Sequence, residues 1–521
     1  MKRLPLDTSS FRRIRERGWL YVDKTSWIYR MITEGTCYFF SRPRRFGKSL
    51  TVSTLKELFR GNKKLFEGLY IYDKWDFDPH PVLLFDFNEI RHDTPENFEK
   101  ALRQVLIDFA EEYEISLSSK NIIYDFKKLL VKIYEKTGKS IVILIDEYDK
   151  PIIDHLGLGE ERFQIALKNR DIMKQFFGVL KGGNVVDVLG FVFVTGVSAF
   201  TKVSIFSEWN NLKDITASPK YADFLGYTEE ELLDVFGEYL DSFCKEAGFK
   251  NKEECLKKIR YWYNGYRFSP EREIHVYNPI SLMYCLSEGY FDNWWFKTAT
   301  PTFLVNLLKE RSYLIPDLEH LVVSKDFLNA FSVENLRIEA LLFQSGYLTI
   351  KDYDGEQFIR LGFPNWEVKK SFSGSLLEGI YEASPIVRKL ADELGKALYT
   401  EDWEEVRGLL NQILAQIPYP LYQKADERFF HTVFYLALCL IGYDAEAETL
   451  SPGGRGDMVV KMGGKVFVME FKAEGTAEEA LRQIEEKGYA RKFEGRGLKI
   501  LKLGIIFAPE KREVVEIKVK N

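Results

Sequence analysis

No C-x-x-C pair and no Cys/His cluster occurs in this chain of 521 residues. Its five cysteines, Cys37, Cys244, Cys255, Cys285 and Cys439, are odd in number and scattered. That weighs against a zinc site and against a disulfide framework. The six histidines form no pair at helical metal spacing, so no zinc-hydrolase motif exists. Ser198 and Ser204 lack a nearby partner in sequence, and there is no nucleophile elbow. Charge of one sign is lacking too. A net charge of −5 does not mark the whole surface for nucleic acid, so any basic patch has to be local. Long apolar runs are missing. The most apolar stretch, 429–441, is interrupted by His431 and Thr432 and falls short of the roughly 18 residues a membrane span needs. The start, MKRLPLDTSS, has no apolar signal core. These absences lead to the expectation of a soluble, cytoplasmic protein with no membrane partner. Internal repeats and low-complexity tracts are also absent.

What is present is ordinary globular material, 45% hydrophobic and 29% charged. At roughly 150 residues per domain the length suggests about three domains. Residues 1–212 alternate apolar strands with helices: strands at 37–40, 82–87, 141–145 and 190–194, and a helix at 50–59. Asp93 and Thr94 cap a further helix opened by Pro95. Continuous apolar strands separated by helices predict a parallel sheet covered on both faces. Residues 213–415 read as mainly helical, with one amphipathic helix over 229–247. Near 325–370 comes a helix (333–343) followed by a hairpin turning at Asp354-Gly355, a pattern that fits a winged helix and many small α+β units alike. Residues 416–521 read as helix (426–440), hairpin (458–461 and 466–471, turning at Gly463-Gly464), helix (477–487) and strand (501–507).

The stretch Ser41-Arg-Pro-Arg-Arg-Phe-Gly-Lys-Ser-Leu50 ends as a phosphate-binding P-loop ends, but lacks its first glycine. Arg42 stands there. The loop follows an apolar strand and opens a helix, so backbone N–H groups can converge on phosphates. The candidate cradle is Arg42, Arg44, Arg45, Phe46, Gly47, Lys48, Ser49 and Leu50. Lys48 would reach the phosphates and Ser49 would bind Mg²⁺. The three arginines read as serving phosphate and the loop's own ion pairs rather than DNA. A second motif, Ile141-Val-Ile-Leu-Ile-Asp146-Glu147, is an apolar strand ending in two carboxylates. It suits a Walker B element, Asp146 holding Mg²⁺ and Glu147 orienting or deprotonating the attacking water. Thr195, ending another strand, could sense the γ-phosphate or simply be a small residue at a strand tip. The cluster Trp294-Trp295-Phe296 reads as core packing.

A third constellation lies near the end, Gly454-Arg-Gly-Asp457 … Glu470-Phe-Lys472. Glu470 and Lys472 are two apart on a strand and share a face. Asp457 and Glu470, with the carbonyl of Phe471, would hold Mg²⁺ (or Mn²⁺) through hard oxygen ligands. Lys472 would position water or stabilise developing charge. Glu427 would complete the metal shell, and Gln483 and Tyr489 would contact phosphate or water. The plainer reading is the solvent face of a hairpin.

Together these segments resemble a bacterial family with an AAA-ATPase-like N-terminal domain and a PD-(D/E)XK nuclease-like C-terminal domain. The resemblance rests on Tyr21-Val-Asp-Lys-Thr25, Arg42-Pro-Arg-Arg-Phe-Gly-Lys-Ser49, Leu144-Ile-Asp-Glu-Tyr-Asp149, Thr195-Gly-Val-Ser198, Trp262-Tyr-Asn-Gly-Tyr-Arg267 and Tyr277-Asn-Pro-Ile-Ser281. At the C-terminus it rests on Gly454-Arg-Gly-Asp-Met-Val459, Val468-Met-Glu-Phe-Lys472 and Ala480-Leu-Arg-Gln-Ile484 … Gly488-Tyr489. In that family the loop reads RPRRFGK, which makes Arg42 expected. The motif's proline is replaced by Gly456. The resemblance implies ATP (or GTP) bound by Lys48 and Ser49, with Asp146 and Glu147 as the Walker B pair. It also suggests that Asp23-Lys24-Thr25 face the base or a domain interface, and that Arg267 is a sensor or finger arginine. The plainer reading of Arg267 is a surface or salt-bridged arginine.

The fold expected is α/β: a P-loop NTPase, a helical middle and a restriction-endonuclease-like α/β domain. The function expected is nucleotide binding and hydrolysis coupled to metal-dependent cleavage of nucleic acid, DNA first. The alternatives are a nucleotide-switched signalling or partner-binding protein whose nuclease-like domain does not cut, and a slow NTPase. A homo-oligomer is compatible, because AAA-like sites often borrow a neighbour's arginine.

Overall fold

The computed structural model describes all residues except 120, 200–204, 207–208, 210, 299–301, 311–317, 320, 329–335, 419–420, 422–426, 442–443 and 452–453. The side chains of 298, 302, 310, 427–428, 444–451 and 454–457 also lie outside the described residues. The chain divides into two compact units, one of 1–299 with 322–365, the other of 300–321 with 366–521. The helical region expected over 213–415 is therefore shared between them.

In the first unit, β1 (Cys37–Ser41), β2 (Val82–Asp86), β3 (Ile141–Asp146), β4 (Leu189–Gly196) and the short β5 (Lys213–Asp214) form a parallel sheet in the order β2-β3-β4-β1-β5. Every residue of β3 is buried, as its unbroken apolar run requires. Because the strands are parallel, the ends of β1, β3 and β4 reach the same edge, where open α/β sheets bind ligands. Helix Lys48–Phe59 starts at that edge from Gly47. Helix Pro95–Glu112 begins where the sequence places it, the Thr94 hydroxyl accepting the Asn97 N–H.

Two expectations for this unit are corrected. The helix read over 229–247 is two helices, Glu229–Val235 and Gly237–Glu246, broken at Phe236 just before Gly237, a weak helix former. A disulfide joins Cys244 to Cys255, with Cα atoms 5.7 Å apart. Scattered cysteines hide it: the pair meets because helix Lys252–Tyr263 folds back against Gly237–Glu246. The helix-and-hairpin region is helix Ile338–Gln344 with β7 (Thr349–Tyr353) and β8 (Phe358–Gly362), and β6 (Leu321–Ser324) adds to β8. The start of the expected 333–343 helix lies outside the described residues. The Asp354 carboxylate makes the turn by accepting the N–H groups of Glu356, Gln357 and Phe358.

The second unit sets helices Trp366–Gly379, Val387–Thr400, Trp403–Ala415 and Glu427–Leu440 before a mixed sheet. Its strands are β9 (Asp444–Ser451), β10 (Gly454–Met462), β11 (Lys465–Lys472), β12 (Lys499–Ala508) and β13 (Glu513–Lys520), in the order β13-β12-β11-β10-β9. Only β11 and β12 pair in parallel, and helix Ala477–Lys487 makes their crossover. Gly463 and Gly464 both have positive φ, which the tight β10–β11 turn requires. Among the described residues no helix is long and apolar enough to cross a membrane.

Candidate functional site

The loop between β1 and helix Lys48–Phe59 turns without its usual first glycine because Arg42 is built into the protein. Its side chain is fully buried. The guanidinium lies 4.2 Å from the ring centroids of both Phe40 and Phe268, and it donates to the carbonyls of Ser41 (3.0 Å), Thr216 (2.7 Å) and Tyr221 (3.0 Å). Burial pulls its pKa down to about 9, partly offset by Asp214 and Asp223, so it stays charged at neutral pH. Phe46 turns to the same wall, meeting Tyr266 and Phe268 edge-on at 4.9 and 5.4 Å. Trp295 donates its indole N–H to the Arg44 carbonyl (3.1 Å). Gly346, with φ +89°, lets Pro43 approach: a Cβ there would lie 2.8 Å from the Pro43 ring.

With its back held, the front of the loop opens on a cleft of about 710 Å³ lined by Arg44, Arg45, Gly47, Lys48, Ser49 and Leu50. Arg42, Phe46 and Thr195 are not in that lining. Gly47 (φ +96°) and Arg45 (φ +69°) take left-handed conformations, so the turn uses one glycine and one residue that bears the strain. The Lys48 ammonium is buried 3.6 Å from the Glu147 carboxylate and 3.2 Å from the Pro43 carbonyl, to which it donates. Burial first, then the Glu147 charge, pushes the Asp146 pKa up to about 6, against the pull of Ser49 and Lys48. Glu147 itself has φ +51°, a left-handed kink that aims it back across the cleft.

Sequence reading missed what fixes that kink. The Glu147 N–H donates to Asp146 (3.0 Å) and the Tyr148 N–H to the Thr195 carbonyl (3.1 Å). Asp149, fully buried, accepts the N–H groups of Val197 (3.2 Å) and Ser198 (2.7 Å) and the Ser198 hydroxyl (2.6 Å). Burial raises its pKa while those bonds oppose the rise. A Cβ on Gly196 would collide with Tyr148 and Asp149. The motifs Leu144–Asp149 and Thr195–Ser198 therefore form one clamp. The adjacency of their glycine, serine and acids was the available signal.

Other expected residues sit elsewhere. The Thr195 hydroxyl donates to the Phe40 carbonyl (2.7 Å), tying β4 to β1. Asp23 accepts from the Thr25 N–H and hydroxyl and the Tyr70 N–H, and Lys24 pairs with Glu231 at 2.5 Å. Arg267 donates to the carbonyls of Ser269 and Pro270 and is buried, so its role is structural.

In the second unit, Glu470 lies buried in β11 between β10 and β12. A buried carboxylate needs partners. The Lys472 ammonium is 3.5 Å away, and the Gln483 amide, from helix Ala477–Lys487, donates to the same oxygen. Gly504, opposite Glu470 in β12, lets that helix start close against the sheet: a Cβ there would clash with Ala477. Asp457 is in β10 next to Met458, which pairs with Met469, the neighbour of Glu470. The side chains of Asp457 and Glu427 lie outside the described residues. The Phe471 ring packs on Phe434 at 5.3 Å, and Tyr489 belongs to the apolar core with Val468 and Ile484. The set brought together is thus Glu470, Lys472 and Gln483, an oxygen donor, a cation and an amide suited to a divalent metal beside a phosphate.

Comparison with known proteins agrees with the two domain types. A family model described as predicted AAA-ATPase matches residues 5–206, and one described as PD-(D/E)XK nuclease superfamily matches 425–517. A protein of Azotobacter chroococcum mcd 1, named "Uncharacterized protein in vnfD 5'region", is 36% identical over 531 aligned positions, covering 100% of this chain and 99% of that one. The chain belongs to the family of predicted AAA-ATPases that carry a C-terminal PD-(D/E)XK nuclease superfamily domain.

Proposed function

We propose that this cytoplasmic protein binds and hydrolyses ATP (or GTP) with Mg²⁺ in the first unit, and uses that cycle to govern a metal-dependent nuclease in the second, acting on DNA. The observation that carries the reading is the Lys48 ammonium 3.6 Å from the Glu147 carboxylate at one helix start, with Ser49 acting on the buried Asp146 carboxylate beside it. Ser49 and Asp146 would hold Mg²⁺, the loop N–H groups and Lys48 would bind phosphate oxygens, and Glu147 would take a proton from the attacking water.

In the second unit Asp457, Glu470 and the Phe471 carbonyl would hold Mg²⁺ or Mn²⁺, with Glu427 completing the shell. A divalent ion there supplies Lewis acidity to the scissile phosphate and lowers the pKa of water. Lys472 would orient the water and neutralise charge on the phosphate oxygens. Gln483 keeps the Glu470 carboxylate turned toward it.

The test incubates the purified protein with labelled DNA and RNA, with and without ATP and Mn²⁺. Asp457→Ala and Lys472→Ala should each abolish cleavage while ATP binding, read by fluorescent-analogue titration, is unchanged. Cleavage that survives both substitutions overturns the nuclease assignment.

A further inference from the structure

The chain is acidic overall, yet residues 2–17 carry six lysines and arginines against two acids, Asp7 and Glu16. Helix Phe11–Glu16 buries Phe11 and Ile14, which turns its arginines outward. Two are engaged by the protein: Arg12 with Glu57 at 2.7 Å, and Arg15 with the carbonyls of Leu65 and Glu67. Three others gather on one ring. The guanidinium carbons of Arg3, Arg13 and Arg17 lie 4.5, 5.4 and 5.4 Å from the Trp19 centroid. Trp19 is itself buried, so it is a fixed platform rather than a mobile stacking group.

Charge at this cluster is unbalanced. Asp7 reaches Arg3 at 3.5 Å and Arg13 at 3.7 Å, with all three side chains more than 40% exposed. Arg17 has no ion-pair partner among the described residues. Three guanidiniums against one solvated carboxylate leave a positive surface that bulk charge conceals. Cation–π contact holds like charges together without neutralising them. Planar guanidinium forks match phosphate oxygens, and a row of them fits a ligand with repeating phosphates.

We propose that Arg3, Arg13 and Arg17, set on Trp19, form a docking surface for the phosphate backbone of nucleic acid on the ATPase-like unit. This rests on the reading that the protein acts on nucleic acid, and it adds a contact separate from the cleaving residues. The experiment measures anisotropy of a labelled DNA duplex in chelator, so that no cleavage occurs, across a salt series. Each phosphate contact contributes about 0.9 to the slope of log affinity against log salt. Replacing all three arginines with alanine should flatten that slope by about 2.5 and weaken low-salt binding roughly tenfold or more. The triple lysine variant, which keeps the charge, should retain most of the binding. Unchanged ATP binding by both variants reports an intact fold. Docking is read in chelator and needs no cleavage, so DNA binding that depends on the three arginines in a protein that does not cut leaves this surface separately visible when the nuclease reading fails. Wild-type slope and affinity in the triple alanine variant overturn the proposal. So does absence of DNA binding by the unaltered protein, or equal affinity for polyglutamate.

Discussion

A phosphate loop usually turns on a first glycine because a Cβ there would crowd the backbone. Here Arg42 occupies the place and makes the turn from outside, through three carbonyl bonds and two aromatic faces. Arg42→Ala strands those carbonyls and empties the aromatic slot. A loss of about 3 kcal/mol in unfolding free energy is expected by chemical denaturation, with weaker nucleotide binding. Arg42→Lys keeps the charge but not the fork, and should lose less. At this scale the sequence pointed to Lys48, Ser49, Asp146 and Glu147 because backbone order alone brings them to one sheet edge. It placed Arg42 at the phosphates instead of behind the loop, since the Phe268 ring that receives it lies more than two hundred residues away along the chain.

Elements were legible where local chemistry decides them. Thr94 with Pro95 starts a helix, and Gly463-Gly464 turns a hairpin. The strand β9 was not legible, because DAEAETLS carries much charge and sheet neighbours make a strand of it, whereas β13, EVVEIKVK, alternates Val and Ile with charged residues and carried a strand signal that the expected elements left out. The clamp between the end of β3 and the end of β4 was equally hidden, because it joins two strand tips through Asp149. Asp149→Asn keeps the shape but turns an amide donor toward the N–H groups of Val197 and Ser198. Steady-state assays should show the ATP turnover number falling by about 10- to 100-fold, with nucleotide affinity within a few-fold of the original, since Asp149 positions Glu147 rather than holding phosphate. A drop in affinity with unchanged turnover would assign Asp149 to binding instead.

For the whole molecule, the ATPase-like part of the sequence does not end where its strand–helix alternation ends. The cradle's rear wall is supplied by Tyr266, Phe268, Trp295 and Gly346. A fragment of residues 1–212 should therefore fail to bind ATP in calorimetry, whereas one of residues 1–365 should bind it. Binding by the shorter fragment would show that the wall is dispensable. The same wall sets a timetable during synthesis. The phosphate loop leaves the ribosome early, but Gly346 follows about three hundred residues later, roughly 15–60 s at ordinary elongation rates. Until then the nascent chain carries its nucleotide motif without a finished cradle, so ATP cannot assist the early folding of the unit that will use it.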